Sequence, residues 1–327
     1  MFKTLDELVQ AARMAGPVRI AIAAAHDPDV IEAMKKAGEL GLATGIFVGN
    51  LRKIGSLAEA ARLEIPYGQM VSEPDDALAA RKAIALVRDG QADLLMKGKI
   101  KTSALVRAVL DKEAGLRTGR LLSQVIVFQV SGFDRLMLMT DAAINIAPTL
   151  EQKAEICRNA IAVAHAIGLE KPNLAVLCAL EVVNPDMPAT VDAAALAVMN
   201  RRGQIAGAYV DGPLALDVPL SRFAAERKEV QSPLVENTDI FVAPDIEAAN
   251  ILYRAILYFA KGESGGIVAG AKVPLILLSR AESPETKIYS ISIAILAVRA
   301  QAALSSTFLH PSVAQPISEE VTVHEVH

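Results

Sequence analysis

A serine and an arginine that follow an apolar segment are the residues of this chain best suited to chemistry. Ser279 and Arg280 come directly after the predicted strand Val273 to Leu278, and a helix is expected through the apolar stretch Ile288 to Val298. The start of a helix offers unpaired backbone N–H groups and a positive dipole end to an anion. The planar guanidinium of arginine can hold two phosphate oxygens at once. The segment therefore predicts a phosphate site, although a capped helix with a surface arginine explains these residues equally well.

A lysine-rich loop is a second candidate anion site. Lys97-Gly98-Lys99 follows the predicted strand Asp93–Met96, and a helix comes next. Thr102 or Ser103 is a possible N-cap of that helix. The loop is not a Walker P-loop, because its lysine-to-hydroxyl spacing and its glycine spacing are both wrong. Two interpretations remain, an anion-binding turn and a solvated lysine loop.

Two further features lack the spacing of a known motif. The run from Gly262 to Gly270 does not have the G-x-G-x-x-G order and follows a predicted helix, so a dinucleotide site is not supported. Its glycines either let a backbone approach a ligand or form a helix-to-strand turn. The five histidines are scattered, which indicates neither a zinc site nor a histidine-based triad.

The composition favours a soluble cytoplasmic enzyme. With 33 basic and 37 acidic residues the formal charge is -4, which argues against binding to nucleic acid or to an anionic membrane. Cys157 and Cys178 lie in apolar surroundings and are expected to be buried thiols. No signal core or run of about 18 apolar residues is present. The hydrophobic share of 52% predicts a large buried subunit interface, and hence a homodimer.

The elements that must position these residues alternate between short aliphatic runs and amphipathic stretches. This alternation predicts an α/β fold with a parallel or mixed sheet covered by helices. The pattern restarts near Asp141, where Thr149 and Gln152 have the spacing of a capping box. The length of 327 residues suits two domains. We assign residues 1–140 plus 269–310 to the first, 141–268 to the second, and 311–327 to a mobile tail.

In chain order, these segments resemble the phosphate acetyltransferase and phosphate butyryltransferase family. The lysine loop and the Ser-Arg segment are more similar to the butyryltransferase branch. The resemblance extends over most of the chain, from about Ala21 to Val298. The matching stretches are Ala92–Leu110, Gly115–Val127, Asp141–Ile156, Asp211–Asp217, Pro244–Tyr253 and Gly262–Ile291.

The resemblance implies a fold and an activity. Members of the family have two doubly wound, three-layer α/β domains of the isocitrate-dehydrogenase-like type, with the active-site cleft between them. They transfer a short acyl group, such as butyryl or acetyl, reversibly between coenzyme A and inorganic phosphate. The resemblance further implies that coenzyme A is a substrate, that no metal or tightly bound cofactor is needed, and that the usual assembly is a homodimer.

The resemblance also implies roles for particular residues. Ser279 and Arg280 would hold the phosphate or acyl phosphate, and Arg107 would supply a second cation. The other residues expected to bind phosphate or coenzyme A are Lys97, Gly98, Thr102, Ser123, Asn145, Gly265, Gly266 and Ser283.

The general base is the point at which this chain departs from the family pattern. Many relatives have an aspartate seven positions after the serine, where this chain has Thr286. Glu282 or Glu285 could replace that aspartate, or the positive site alone could ionise the thiol of coenzyme A. Relatives often have Ser-His where this chain has Ser123 followed by Gln124, so any role of that histidine is absent.

Two other classes of protein remain as alternatives. A catalytically silent paralogue that only binds acyl-coenzyme A or acyl phosphate would account for Thr286. A metal- and NAD-dependent dehydrogenase of the same fold would need clustered metal ligands, which the sequence does not supply.

Overall fold

A computed structural model describes residues 2–277 and 282–309, with side chains as far as residue 303. Ser279, Arg280 and the predicted tail 311–327 therefore lie outside the described residues. The helices are α1 (Leu5–Met14), α2 (Pro28–Glu39), α3 (Leu51–Ala61), α4 (Asp76–Arg88), α5 (Thr102–Val109), α6 (Leu150–Ala166), α7 (Pro188–Arg201), α8 (Asp217–Leu220), α9 (Arg222–Arg227), α10 (Ile246–Tyr258) and α11 (Pro284–Leu309). The strands are β1 (Val18–Ala23), β2 (Ala43–Gly49), β3 (Met70–Ser72), β4 (Leu94–Lys97), β5 (Ser123–Gln129), β6 (Met137–Thr140), β7 (Asn173–Leu177), β8 (Tyr209–Leu214), β9 (Ile240–Val242), β10 (Glu263–Ala269) and β11 (Leu275–Ile276).

The strands join in a single mixed sheet with the order β3-β2-β1-β4-β11-β10-β5-β6-β9-β7-β8. Strand β10 is antiparallel to both of its neighbours, β11 and β5, and β5 is antiparallel to β6, whereas the pairs on either side of this centre are parallel. The α/β architecture predicted from the sequence is confirmed. The predicted division into two domains stays a prediction, since the sheet runs through both proposed units without a break.

Alternation along the strands produces an apolar layer on each face of the sheet. Ile20 and Ile22 of β1 belong to one buried cluster, which includes residues of α1, α2, α6 and α11. Ala21 and Ala23 point the other way, into a cluster with α4 and α5. The first surface is called the α11 face below, and the second is called the α5 face. With helices on both faces, the molecule has three layers.

Local sequence signals fix several of the helix ends. Thr149 and Gln152 form the predicted capping box at the start of α6. Asp27, Asn50 and Asp75 each accept a backbone N–H at the start of their helices.

The glycine-rich run is a central strand, and the predicted helix-to-strand turn is therefore wrong for most of it. Gly265 and Gly266 lie within β10, paired with β5 on one side. A Cβ on Gly265 would lie 2.7 Å from both the backbone nitrogen of Ser290 and the carbonyl carbon of Tyr289 in α11. The lack of a side chain is thus what allows α11 to pack directly on the middle of the sheet.

We predict that Gly265→Ala lowers the free energy of unfolding by about 2–3 kcal/mol, because the backbone of α11 must move to admit the methyl group. Urea unfolding measures this change. Gly55→Ala is the control, since no atom lies within 4 Å of the added methyl group and Gly55 is inside α3. The control should gain roughly 0.5–1 kcal/mol. A Gly265→Ala protein of normal stability that has lost its activity would instead indicate a ligand contact at Gly265.

Candidate active site

Two of the predicted anion-binding segments follow the carboxyl ends of two neighbouring strands, β4 and β11. Strands β4 and β11 are parallel and pair Met96 with Ile276. Lys97 and its loop therefore leave the sheet beside Leu277, the last described residue before Ser279 and Arg280.

The lysine loop is held against the end of β1 by its backbone. The N–H groups of Gly98 and Lys99 donate to the carbonyls of Ala23 and Ala24, each at 2.8 Å. A Cβ on Gly98 would overlap both carbonyl oxygens, so only glycine fits there. The Nζ of Lys97 donates to the carbonyl of Gly98 at 3.2 Å. Gly98 thus sets the course of the loop, and its role is to position the residues on either side of it.

Helix α5 begins one residue earlier than a Thr102 cap would require. Lys101 occupies the N-cap position, and its side chain makes no capping hydrogen bond. Thr102 is the first residue of the helix, so the predicted N-cap role of Thr102 or Ser103 is wrong. Both hydroxyls instead face an open pocket beside the first turn. A helix start without a side-chain cap can donate its N–H groups to an anion.

This pocket, called the α5 pocket here, has a volume of about 830 Å³. Arg107, Lys112 and Arg117 line it. Within residues 2–277 and 282–309, none of these three cations has an acidic partner. Asp111 also lines the pocket, but its Oδ1 accepts the backbone N–H groups of Glu113 and Ala114, which lower the pKa of its carboxyl. The pocket therefore combines three unpaired positive charges with a single carboxylate that is already hydrogen-bonded.

One wall of the α5 pocket is apolar. Val106 and Leu110 come from α5, and Ala143 and Ile144 come from the loop after β6. Val106, Ile144 and Leu277 belong to the same apolar cluster on the α5 face. The segment that carries Ser279 and Arg280 thus starts from a residue packed with the lining of this pocket.

A buried carboxylate shapes the loop on that wall. Asp141 is only 4% exposed. Its Oδ1 accepts the backbone N–H groups of Gln124, Ala143 and Ile144, each at 3.1 Å. Its Oδ2 accepts the backbone N–H of Asn145 at 3.0 Å and the Asn145 amide at 2.6 Å. Burial raises the pKa of the Asp141 carboxyl, and these donors act in the opposite direction.

Asn145 and Ser123 support the site but do not line the pocket. The Asn145 amide also donates to the carbonyl of Leu122 at 2.8 Å, which fixes the loop to the start of β5. Ser123 is fully buried, and its hydroxyl accepts from Asn159 of α6 on the α11 face. Its side chain therefore points away from the α5 pocket.

The structure places the remaining predicted residues at the start of α11 and in β10. Ser283 accepts the backbone N–H of Thr286 at 3.2 Å and so caps α11. Glu285 pairs with Lys36 of α2 at 3.5 Å. Its pKa is lowered, chiefly by a backbone hydrogen bond and also by Lys36. Glu282 lies close enough to Tyr253 to raise the pKa of that phenol, although burial is the larger cause. Gly265 and Gly266 lie in the centre of the sheet and do not line the pocket.

Three residues of the site were missed by the sequence predictions. Arg117 and Lys112 follow α5 in a segment without regular periodicity, and only their charge could have indicated them. Asp141 is the first residue of a matching stretch, Asp141–Ile156, but its role depends on folding of the next four residues around it.

Two features that would indicate other classes of protein do not occur among the described residues. No group of three or more His, Cys, Asp or Glu side chains capable of holding a metal ion occurs in residues 2–277 and 282–309. Across the same ranges, no helix has the length and apolar character required to cross a membrane.

We predict that Asp141→Asn destabilises the wall of the α5 pocket. An amide can replace only one of the two acceptor oxygens, so at least two partly buried N–H donors lose their bond to residue 141, at a cost of about 2–3 kcal/mol. Hydrogen exchange at the amides of residues 143–145 should accelerate accordingly. The control is Asp239→Asn, since Oδ2 of the buried Asp239 accepts one backbone N–H, that of Asn173, and the amide oxygen can retain this bond. Unchanged protection in Asp141→Asn would show that the loop does not depend on this carboxylate.

Comparisons with known proteins identify a family. The model of the phosphate acetyl/butaryl transferase family matches residues 75–295. Phosphate butyryltransferase of Clostridium acetobutylicum is 44% identical over 296 residues, covering 90% of this chain and 98% of that protein. Phosphate acetyltransferase of Thermotoga maritima is also 44% identical, over 289 residues that cover 88% of this chain and 98% of that protein.

Solved structures of other proteins have the same fold as this chain. A branched-chain phosphotransacylase from Enterococcus faecalis superposes with a TM-score of 0.75 at 33% identity, covering 86% of this chain and 99% of the other. A 4-hydroxythreonine-4-phosphate dehydrogenase from Klebsiella pneumoniae has a TM-score of 0.52 at 14% identity, with coverage of 86% and 99%, which is a likeness of fold alone. The predicted isocitrate-dehydrogenase-like class is thereby confirmed. The chain belongs to the phosphate acetyl/butaryl transferase family.

Proposed function

We propose that this protein transfers a short acyl group, butyryl or acetyl, reversibly between coenzyme A and inorganic phosphate. The observation that carries the proposal is the α5 pocket, which is lined by an apolar wall and by three cations that have no acidic partner among the described residues. Coenzyme A and acyl phosphate are polyanions, and the pantetheine arm and acyl chain are the parts that need an apolar surface. Relatives named for butyryl and for acetyl transfer are equally similar, at 44% identity, so the proposal covers both acyl groups.

The proposed roles follow the charges of the pocket. Arg107, Lys112 and Arg117 bind phosphate groups of the coenzyme, and Thr102 at the start of α5 adds a hydroxyl. Ser279 and Arg280, outside the described residues, are proposed to hold the phosphate that enters or leaves. Coenzyme A acts as a substrate, and no tightly bound cofactor takes part.

The reaction needs one nucleophilic substitution at a carbonyl. The coenzyme A thiolate attacks the acyl-phosphate carbonyl, a C–S bond forms, the C–O bond to phosphate breaks, and phosphate leaves with its electron pair. Cations and helix-end N–H groups stabilise the negative charge that develops on the carbonyl and phosphate oxygens. A positive pocket also favours the thiolate, whose ordinary pKa is about 8.5.

Two of the candidate positions for a general base are unfavourable. Thr286, at the position of the family aspartate, is buried. Glu285 is paired with Lys36 and has a lowered pKa, which makes it a poor proton acceptor at neutral pH. We therefore propose that the thiol is ionised by Glu282 or by the positive pocket itself.

The free state of the two cysteines is consistent with a reducing compartment. Both Cys157 and Cys178 are free thiols, and burial raises their pKa values, to about 12 and about 11. We propose a cytoplasmic location.

Release of coenzyme A from butyryl-coenzyme A and phosphate tests the proposed function, and Arg117→Ala tests the pocket. Loss of one charge-assisted contact should raise the KM for the coenzyme about tenfold or more. Arg202→Ala is the control, because Arg202 is an exposed arginine at the C-cap of α7, does not line the pocket and has no ion pair among the described residues. If the wild type releases coenzyme A from none of the acyl donors tested, the result would favour the silent paralogue. An unchanged KM in Arg117→Ala would show that this residue does not belong to the site.

We also propose that the protein is a homodimer that buries an apolar patch on α10. Ile251, Tyr258 and Phe259 of this region are exposed, and Phe133 lies beside them. Next to them is an apolar cavity of about 250 Å³, lined mostly by aliphatic and aromatic side chains. Patches of this kind usually mark a protein interface, and the partner that fits the high hydrophobic content is a second copy of the chain.

Phe259→Asp should convert the dimer to a monomer in sedimentation experiments, because a charge would be placed inside the apolar contact. Phe259 is 88% exposed. Tyr67→Asp is the control, since Tyr67 is equally exposed at 88% but lies next to the edge strand β3, whereas the cavity beside α10 is lined by β5, β6 and β9. A wild type that sediments as a monomer, or a dimer that persists in Phe259→Asp, would contradict the proposed interface.

A further inference from the structure

A second large cavity lies on the α11 face, opposite the α5 pocket. It has a volume of about 690 Å³ and is enclosed by α6, the second half of α11, strand β10 and the two loops 118–120 and 270–274. A cavity of this size can hold a small organic molecule. The proposed acyl transfer makes no use of it.

The cavity contains positive charge. Lys272 lines it and has no ion pair among the described side chains. Arg120 also lines it, and the one ion pair that it makes within the described part of the chain is long, 3.6 Å to Glu155, which also pairs with Arg158. Two cations with one long ion pair between them can still bind a dianion such as a phosphate monoester.

The cavity also contains an unpaired buried acceptor. Asn159 is 1% exposed and lines the cavity. Its amide nitrogen donates to Leu121 O and to Ser123 Oγ, both at 2.8 Å, whereas its Oδ1 has no hydrogen-bond partner in the described structure. A buried carbonyl without a donor is costly, so a ligand with an N–H or O–H group would be stabilised here.

The remaining walls are small and apolar. Ala162 and Ala166 of α6 face Ala297 and Ala300 of α11 across the cavity. Short side chains on both helices leave room for a flat ring between them. The two cations, the unpaired Oδ1 of Asn159 and the space between the two helices together suit a nucleoside monophosphate. Such a molecule has a dianionic phosphate, hydroxyl and amino donors, and a planar base.

The cavity shares a loop with the α5 pocket. Arg117 lines the α5 pocket, and the next residue, Thr118, lines this cavity. Thr118 Oγ1 donates to Gly270 O at 2.6 Å, and Lys272 N donates to Leu116 O at 2.9 Å. The two loops are thus tied together, and the second of them leads into β11 and on to Ser279. A ligand that moves either loop changes the position of groups on both faces of the sheet.

We propose that this cavity is an effector site for a nucleoside monophosphate, and that its occupancy is linked to binding of coenzyme A in the α5 pocket. The linkage rests on the proposed function, because it assumes that coenzyme A binds there. Binding to the cavity itself does not rest on it.

The chain contains no tryptophan, so Ala303→Trp places a single fluorescent reporter at the rim of the cavity. Titration with AMP should give a saturable change in its fluorescence. Adenosine lacks the phosphate group, and phenyl phosphate lacks the amino and hydroxyl donors. Each should therefore bind at least about fivefold more weakly than AMP. Calorimetry on the chain without the reporter should give the same order of affinities.

Lys272→Ala and Arg120→Ala, each made with the reporter, should weaken AMP binding about tenfold, the loss expected for a charge-assisted contact. Lys171→Ala is the matched control, because Lys171 is exposed, forms no ion pair with any described residue and lies outside the cavity. Two results would overturn the site. One is no saturable change up to about 10 mM AMP, an affinity too weak to be specific. The other is AMP binding that depends on Arg117 but not on Lys272, which would place AMP in the α5 pocket.

Linkage is measured by repeating the AMP titration with saturating coenzyme A. Coupling between the sites is reciprocal, and a typical coupling would shift the AMP affinity about fivefold or more. An AMP affinity unaffected by coenzyme A would reject the linkage. Since the fluorescence experiment requires no acyl transfer, an inactive protein that binds AMP would reject the proposed function and retain the site.

Discussion

The close approach of α11 to strand β10 is the contact on which the rest of the structure depends. Gly265 lets the backbone of the helix lie directly on the centre of the sheet, and Gly266 N donates to Ser290 Oγ at 2.9 Å across the same contact. Helix α11 also packs on α1, α2 and α6. It also contacts β11, the strand from which the chain continues toward Ser279 and Arg280.

Much of the fold could be predicted because its signals are local. The strand and helix alternation, the capping box at Thr149 and the helix starts at Asp27 and Asp75 all depend on residues within one turn of each other. A turn was one of the two interpretations of the glycine-rich run, and it was wrong because glycine has no side chain to show the alternation of a strand. The run is a strand because it pairs with β11 and with β5, which lies more than 130 residues earlier in the chain.

Part of the candidate site was also predicted. Arg107 was assigned by resemblance, Thr102 was proposed as a helix cap and as a phosphate-binding residue, and both line the α5 pocket. Ser123 was placed by resemblance, yet the face to which its side chain points depends on the register of β5, and it faces α6 instead. Arg117 and Ile144 line the same pocket although they are distant in the chain, and the pairing of β5 with β6 that brings their segments together has no local sequence signal. The net charge of -4 likewise conceals a local group of three cations.

The hydrogen bonds around Asp141 affect the free energy of ligand binding. All five donors to this carboxylate come from the protein itself, so the wall formed by Ala143 and Ile144 is complete before any ligand arrives. Ordering a flexible side chain at a binding surface costs about 0.5–1.5 kcal/mol, and a wall that is already rigid avoids that cost. The conformational entropy of this part of the pocket is lost once, during folding, and is not lost again in each catalytic cycle.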